Sequence, residues 1–328
     1  MLCEKNNAYK EKGENMSRVD IQNWMQKHKH EVPSLKNVHS QVLQEITFRL
    51  DYAYQNFFRR VKEKGAKAGF PRYQGEGRYN SFTYTQSGFK VEEDKLYLSK
   101  IGWVKIKQHR SIEGEVKRIT ITKSPTRKWY ACFICEVDIK PAKKLKKAVG
   151  IDVGIESFTT DSNGESVNYP RHYEKAQKNL AKLQRKHQKR KTKKTRKALA
   201  TAHEKVKNKR KDFLHKTSRK LVNENQTIVF ENLNVKVLME KHWVSKQIAD
   251  ASWATFISYV TYKAEWAGRQ VVLVNPAYTS QTCSQCGFRK HKPLSQRIHK
   301  CSCGLELSRD HNAAINILGL GMQALASA

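Results

Sequence analysis

Apolar side chains fall into three successive rhythms along this chain. In residues 1–70, Leu43, Ile46, Leu50, Phe57 and Val61 recur close to the helical period, which puts them near one face of a helix. Pro33-Ser34 supplies a start signal, and Gly65 followed by Gly69-Phe70-Pro71 ends the pattern. A helical segment is predicted over 1–70. Between about 80 and 140 the rhythm shortens to alternation. The runs 82–85, 95–98, 104–107, 116–121 and 129–133 read as strands, with turn residues at Ser87-Gly88, Glu113-Gly114 and Ser124-Pro125 between them. Residues 71–140 therefore predict a small antiparallel β-domain. Cys132 and Cys135 form a CxxC within its last strand, but no second pair lies nearby, so they read as packing residues of a half-buried strand.

After the linker Lys140-Pro141-Ala142-Lys143-Lys144 the third rhythm begins. Residues 147–153 form a buried-type strand, followed by a hairpin through Asp161-Ser162-Asn163-Gly164. Over 172–222, Ala176, Leu180 and Leu183 make one apolar stripe, and Leu199, Val206, Phe213 and Leu214 another, around the wholly polar run 185–197. Two antiparallel helices with a basic tip fit this pattern. The tip is either a solvated charge run or an arm facing phosphates, and the scarcity of balancing acids favours the arm. A strand at 226–231, a helix over 248–268, a strand at 269–274, a cysteine-rich insert and a helix from Asp310 to about Leu320 complete the chain. The order strand, hairpin, helices, strand, helix, strand, insert, helix predicts a mixed sheet flanked by helices, of the RNase H-like kind.

Charge narrows the function. Sixty-three basic against thirty acidic residues leave a formal net charge of +33. Such a surplus calls for a polyanion, nucleic acid first and an anionic membrane second, and it suits a structural nucleic-acid binder as well as an enzyme. No run of about 18 apolar residues is present, so no membrane span is expected. The polar start Met1-Leu2-Cys3-Glu4 lacks a secretory signal. Seven cysteines, unevenly placed, suit a reducing cytoplasm and a metal site in place of a disulfide framework. A cytoplasmic, nucleoid-associated location is expected.

Three acids stand out against the elements. Asp152 lies in the apolar run Gly150-Ile151-Asp152-Val153-Gly154, Glu231 ends the strand Val229-Phe230-Glu231, and Asp310 opens the last helix. An acid in an apolar strand needs compensation. Carboxylates suit Mg2+ or Mn2+, and a pair of such ions about 4 Å apart can clamp both oxygens of a phosphodiester displacement. Singly, Asp310 reads as a helix N-cap and Glu231 as an exposed strand end. Together with Asp152 they read as one metal site. Cys283 and Cys286, then Cys301 and Cys303 after fourteen intervening residues, match a structural tetrahedral Zn2+ site, with His299 as a substitute ligand and unpaired buried thiols as the alternative.

The run Asn275-Pro276-Ala277-Tyr278-Thr279-Ser280-Gln281-Thr282-Cys283-Ser284-Gln285-Cys286-Gly287, with Arg309-Asp310-His311-Asn312-Ala313-Ala314-Ile315-Asn316-Ile317, resembles the TnpB/OrfB family of insertion-sequence proteins, which are related to the type V CRISPR effectors. The residues around Asp152 and Phe230-Glu231-Asn232-Leu233 are similar to that family too, and the match covers the chain from about 145. The resemblance implies an α+β multidomain protein. A helical recognition-type segment (1–70) and a β-rich wedge-like domain (71–140) precede a RuvC/RNase H-like nuclease domain (145–328), with a basic arm at 172–222 and an inserted zinc-ribbon-like knuckle at 278–306. It also implies an RNA-guided DNA endonuclease with a transposon-derived guide RNA and a DNA target. The RuvC carboxylates fall on Asp152, Glu231 and Asp310, and the zinc ligands on Cys283, Cys286, Cys301 and Cys303. Family members usually begin with a further strand and helix before the stretch resembling Leu2 to Tyr9, so an N-terminally truncated copy or a late start codon is expected, either of which leaves the carboxylates intact. A binding-only relic or repressor and a strand-transferring DNA transposase are the competing functions.

Overall fold

The protein is described by a computed structural model covering residues 1–63, 68–75, 77–240, 245–293 and 295–327; the predicted stop at Gly65 lies outside them. Contacts divide the chain into two compact units, Met1–Asp138 and Ile139–Ala328.

The first unit opens with α1 (Leu2–Lys12), α2 (Arg18–Lys27) and α3 (Ser40–Lys62). Pro33-Ser34 starts a 3-10 turn, not the long helix; α3 begins at Ser40, behind a cap in which His39 Nδ1 accepts from the Gln41 N–H. Of the predicted stripe, Leu43 and Phe57 are buried, but Val61 is 58% exposed and Tyr54 takes its place in the core. Six strands follow: β1 (Ser81–Tyr84), β2 (Phe89–Glu92), β3 (Lys95–Leu98), β4 (Gly102–Lys105), β5 (Glu115–Lys123) and β6 (Trp129–Glu136). They form two antiparallel three-stranded sheets, β1-β5-β6 and β2-β3-β4, instead of a single run of five strands. Val42, Tyr84, Leu96, Leu98, Ile119 and Ile121 fill the core between them. Cys135 is half-buried on β6, and Cys132 is exposed.

The second unit is built on β7 (Ala148–Val153), β8 (Ser157–Asp161) and β9 (Ser166–Asn168), then α4 (His172–Lys189), α5 (Lys193–Glu224) and β10 (Thr227–Glu231). Next come α6 (Val235–Glu240), α7 (Ser245–Ala251), α8 (Trp253–Trp266), β11 (Gln270–Val274), β12 (Ile298–Lys300), β13 (Glu306–Ser308) and α9 (Arg309–Ala326). The main sheet has the order β11-β10-β7-β8-β9. β7, β10 and β11 run parallel; β8 pairs antiparallel with β7, and β9 pairs antiparallel with β8. Helices cover both faces of β10, so Ile228, Val229 and Phe230 have no exposed surface. This explains a continuous apolar run where a one-faced strand would alternate.

The single helix predicted over 248–268 is in fact two. Ser252 adopts a left-handed φ of 55° between α7 and α8, and Arg210 reaches across to Ser252 Oγ and the Ala249 carbonyl at the break. α9 extends beyond the predicted end near Leu320, to Ala326. It lies so close on β7 that a β-carbon at Gly150 would collide with the Ala314 carbonyl and Leu318. α4 and α5 pack as a helical hairpin, with Leu180, Val206 and Leu214 buried and Thr192 capping α5. No helix among the described residues is long and apolar enough to cross a membrane.

Candidate active site and metal centre

Parallel pairing sets the first two acids side by side. Ile151 on β7 is opposite Phe230 on β10, so Asp152 and Glu231 follow at the same end of adjacent strands. α9, packed on β7, brings Asp310 to that end from its first turn. Asp310 is not the N-cap: Ser308 caps the helix, its Oγ accepting from the His311 N–H at 3.2 Å.

Asp152 feels the charges of both other acids. Burial pushes Asp152 well above the ordinary carboxylate range, the charges of Glu231 and Asp310 push it further, and Arg309 pulls it back. Burial raises Glu231 as well, opposed by the hydrogen bond from Thr279. Asp310 is raised by burial and by Glu156, against the pull of Arg297 and Arg309. Carboxylates brought to one end of the sheet and raised by burial favour a bound cation. An open groove of roughly 490 Å³ continues from Glu231 along α8, lined also by Asn232, Thr261, Tyr262 and Leu273.

Several residues around the acids went unassigned in the sequence. Thr279 Oγ1 donates to Glu231 Oε1 at 2.5 Å. Arg309 donates to the Pro293 carbonyl at 2.9 Å and to Ser280 Oγ at 3.2 Å, and Arg297 pairs with Glu156 at 2.8 Å. Thr279 and Arg309 both lie inside recognisable motif runs, yet only the folded-back loop shows what they touch.

The second centre is formed by Cys283, Cys286, Cys301 and Cys303, whose sulfurs all lie within 4.8 Å of one another; this is the only such ligand group among the described residues. Cys283 and Cys303 are 3.7 Å apart, and Cys286 and Cys301 3.5 Å. A tetrahedron with metal–sulfur bonds of about 2.3 Å needs sulfur separations of about 3.8 Å, so the donor set fits zinc. Without a metal the thiols share protons: the Cys303 N–H and the neighbouring thiols draw Cys301 down to about 6, while Cys286 and Cys303 are raised. His299, the substitute ligand, is outside this group; its Nδ1 accepts from Lys292. Asn312 and Asn316 of α9 fasten the base of this knuckle, each donating to the Thr282 carbonyl at 2.8 Å.

Known proteins resemble this chain along its length. Residues 131–242 match a family model described as a probable transposase (OrfB of IS605), and residues 253–317 match the Cas12f1-like TNB domain. A putative RNA-guided DNA endonuclease of Streptomyces pristinaespiralis is 36% identical over 307 residues, covering 90% of this chain and 75% of that protein. The putative RNA-guided DNA endonuclease InsQ of Escherichia coli K12 is 32% identical, covering 89% of this chain and 77% of its own length. Among solved structures, Cas12f1 in a cryo-EM complex with sgRNA and target DNA shares the fold. Its TM-score is 0.53 at 15% identity, over 85% of this chain and 71% of that one.

Proposed function

Because the chain belongs to the TnpB/OrfB family, we propose that it is an RNA-guided DNA endonuclease of a transposable element, hydrolysing phosphodiesters with divalent metal ions in an RNase H-like (RuvC) site of Asp152, Glu231 and Asp310. The observation that carries this reading is the convergence of three acids from β7, β10 and α9, each with a raised pKa. Mg2+ or Mn2+ bound by these carboxylates supplies positive charge for the phosphate oxygens and a more acidic water. The chain's own residues do the positioning. Thr279 fixes one oxygen of Glu231, and α9 holds Asp310 against β7. Arg297 and Arg309 put positive charge beside Asp310, which suits an incoming phosphate.

The net charge of +33 fits backbone contacts to a guide RNA and to its heteroduplex with DNA, with the α4–α5 hairpin as the basic arm. In this reading residues 1–70 and 71–140 are the recognition-type and wedge-like parts, and Cys283, Cys286, Cys301 and Cys303 hold a structural zinc ion. Sequencing the RNA that co-purifies with the protein, then assaying cleavage of matched DNA in Mg2+, tests the proposal. A defined transposon-end transcript and cutting abolished by Asp152→Ala are expected. Undiminished cutting by Asp152→Ala would overturn the site, and joining of transposon 3′ ends in place of hydrolysis would make the protein a transposase.

A further inference from the structure

Sixty-three of the 328 residues are lysine or arginine, yet none of them lines the groove that continues from Glu231 along α8. Ile257, Thr261 and Tyr262 face it from the helix, and Leu273, 50% exposed, faces it from β11, the edge strand of the sheet. Its lining on α8 runs from Ala254 to Glu265, about 16 Å along the axis. The topology sets the direction of that run. α8 ends at Trp266, just before β11 begins at Gln270, whereas Glu231 sits opposite Val274 at the other end of β11. The groove therefore leads away from the acids towards Tyr262 and Trp266. Those two rings meet edge to face, with centroids 5.6 Å apart. Packing accounts for Tyr259, which is stacked on His215 at 4.2 Å, but not for Trp266, which ends the row 54% exposed.

Glu231 and Glu265 are the charged groups among the residues lining the groove, so it repels phosphates and suits flat, uncharged groups. Nucleobases are such groups, and every base offers a face on which an aromatic ring stacks. Resting on the reading of Glu231 as an acid of the nuclease site, we propose that the DNA strand cut there continues along α8 with its bases turned into the groove, where those beyond the cut stack on Tyr262 and Trp266. The phosphates then face outward, where exposed basic residues meet them; Arg219 of α5 is one, and its charge reaches the Tyr262 hydroxyl. A peptide would also fit the apolar wall, but a strand held at Glu231 must continue somewhere, and the groove opens there. Stacking is indifferent to which base is present, so this subsite grips the strand without reading its sequence. Tyr262 and Trp266 are thus binding residues for the strand that brings its phosphate to the acids.

The test removes bases one at a time. The protein with its co-purified RNA cuts matched DNA under single-turnover conditions in Mg2+, and a single abasic site is moved through the positions on either side of the cut. An abasic site at one or two positions on one side is expected to slow cleavage roughly 10- to 100-fold. Tyr262→Ala and Trp266→Ala should slow cutting of the intact strand by a similar factor and make the abasic site harmless, because the stacking it removes is already gone. Tyr262→Phe keeps the ring and should keep the sensitivity. A readout that needs no cutting follows 2-aminopurine at the sensitive positions with Ca2+ in place of Mg2+. Its fluorescence should be quenched by the wild type and much less by the alanine variants. Should Tyr262→Ala fail to fold, Trp266→Ala, a change at an exposed side chain, carries the decision. Additive losses from the abasic site and the alanine variants, or cleavage indifferent to every abasic site, would overturn the groove as a strand track and leave the nuclease reading intact. Quenching by a wild type that never cuts would overturn the nuclease reading alone, and neither quenching nor cutting would overturn both.

Discussion

Thr279 holds Glu231: its Oγ1 donates to the carboxylate Oε1 at 2.5 Å, while its carbonyl accepts from Asn316 Nδ2 at 2.8 Å. An acid at the end of β10 is thereby fastened to α9, the helix that carries Asp310. Two of the three acids share one frame, so a change at Thr279 should loosen the site without removing a carboxylate. Thr279→Val is expected to slow single-turnover DNA cleavage by roughly 10- to 100-fold, as loss of a supporting hydrogen bond does at metal sites. Binding of guide and target should be unaffected. Thr279→Ser keeps the hydroxyl and should cut at close to the wild-type rate. Wild-type cleavage by the valine variant would show that Glu231 needs no such support.

The acids that suit a metal also oppose each other in its absence. Asp152 is raised by burial and then by Glu231 and Asp310, so the folded protein binds its proton more tightly than the unfolded chain does. The linkage sign follows: the stability contribution is fully present below the ordinary value near 3.8, and is lost as pH rises through the raised folded value. Asp152→Asn should therefore melt higher than the wild type in chelator at neutral pH, by roughly 2–4 °C for each kcal/mol of repulsion relieved, while losing all cleavage. Melting curves in chelator and in Mg2+ check both halves, because Mg2+ should stabilise the wild type and not the variant. A lower Tm for Asp152→Asn in chelator would contradict the repulsion.

The sequence carried the second unit better than the first, for reasons visible in single residues. Strands β7 and β10 lie between helices, and the apolar run Ile228-Val229-Phe230, with Val149-Gly150-Ile151 on β7, announces that burial. β2 escaped notice because only Phe89 and Val91 of its four residues are apolar, too short a pattern to separate from a turn. The break at Ser252 is hidden in the sequence because apolar residues continue on both sides of it, and Arg210, which binds at the break, lies on another helix. The three acids were legible because charge in apolar company is conspicuous. Thr279, Lys292 and Arg297 were not, since each is ordinary in sequence and takes its partner only when the knuckle folds back. The cap read at Asp310 belongs to Ser308, and only the hydrogen bond from the His311 N–H to its hydroxyl shows it.

A different cluster tests the scaffold. Asp250, 6% exposed, accepts from the Tyr169 hydroxyl at 2.9 Å and the Tyr173 N–H at 3.0 Å, and pairs with Arg210 at 3.4 Å. It joins the start of α4, the middle of α5 and the end of α7 through one side chain. Removing it strands a partly buried guanidinium and two donors, so Asp250→Ala should cost about 3–5 kcal/mol. Tyr169→Phe removes one hydrogen bond to the carboxylate and should cost about 1.5–3 kcal/mol. Urea denaturation measures both. In the double variant Arg210→Ala, Asp250→Ala, part of the loss should be recovered, because no unpaired charge remains. Strict additivity of the two single changes would mean that the pair is not coupled.

Lys263 offers a pH signature remote from the carboxylates. It is 3% exposed on α8, and its Nζ donates to the His215 carbonyl at 2.9 Å and to Ser218 Oγ at 2.6 Å. The groups facing it are the rings of Tyr259 and Tyr262 and the guanidinium of Arg219. Burial first, and Arg219 second, lower its pKa from 10.5 to about 8. Between those two values the unfolded chain holds a proton that the folded protein has released, so stability must rise with pH across that window. The rise should amount to about 1–2 kcal/mol once solvent screening is allowed for. Lys263→Met keeps the length of the side chain and drops the charge. It should therefore be more stable than the wild type at pH 7 and show a flatter dependence from pH 8 to about 9.5, before tyrosines begin to titrate. Denaturant midpoints across that range decide the matter. An unchanged slope in the methionine variant would mean that another group, not Lys263, releases the proton.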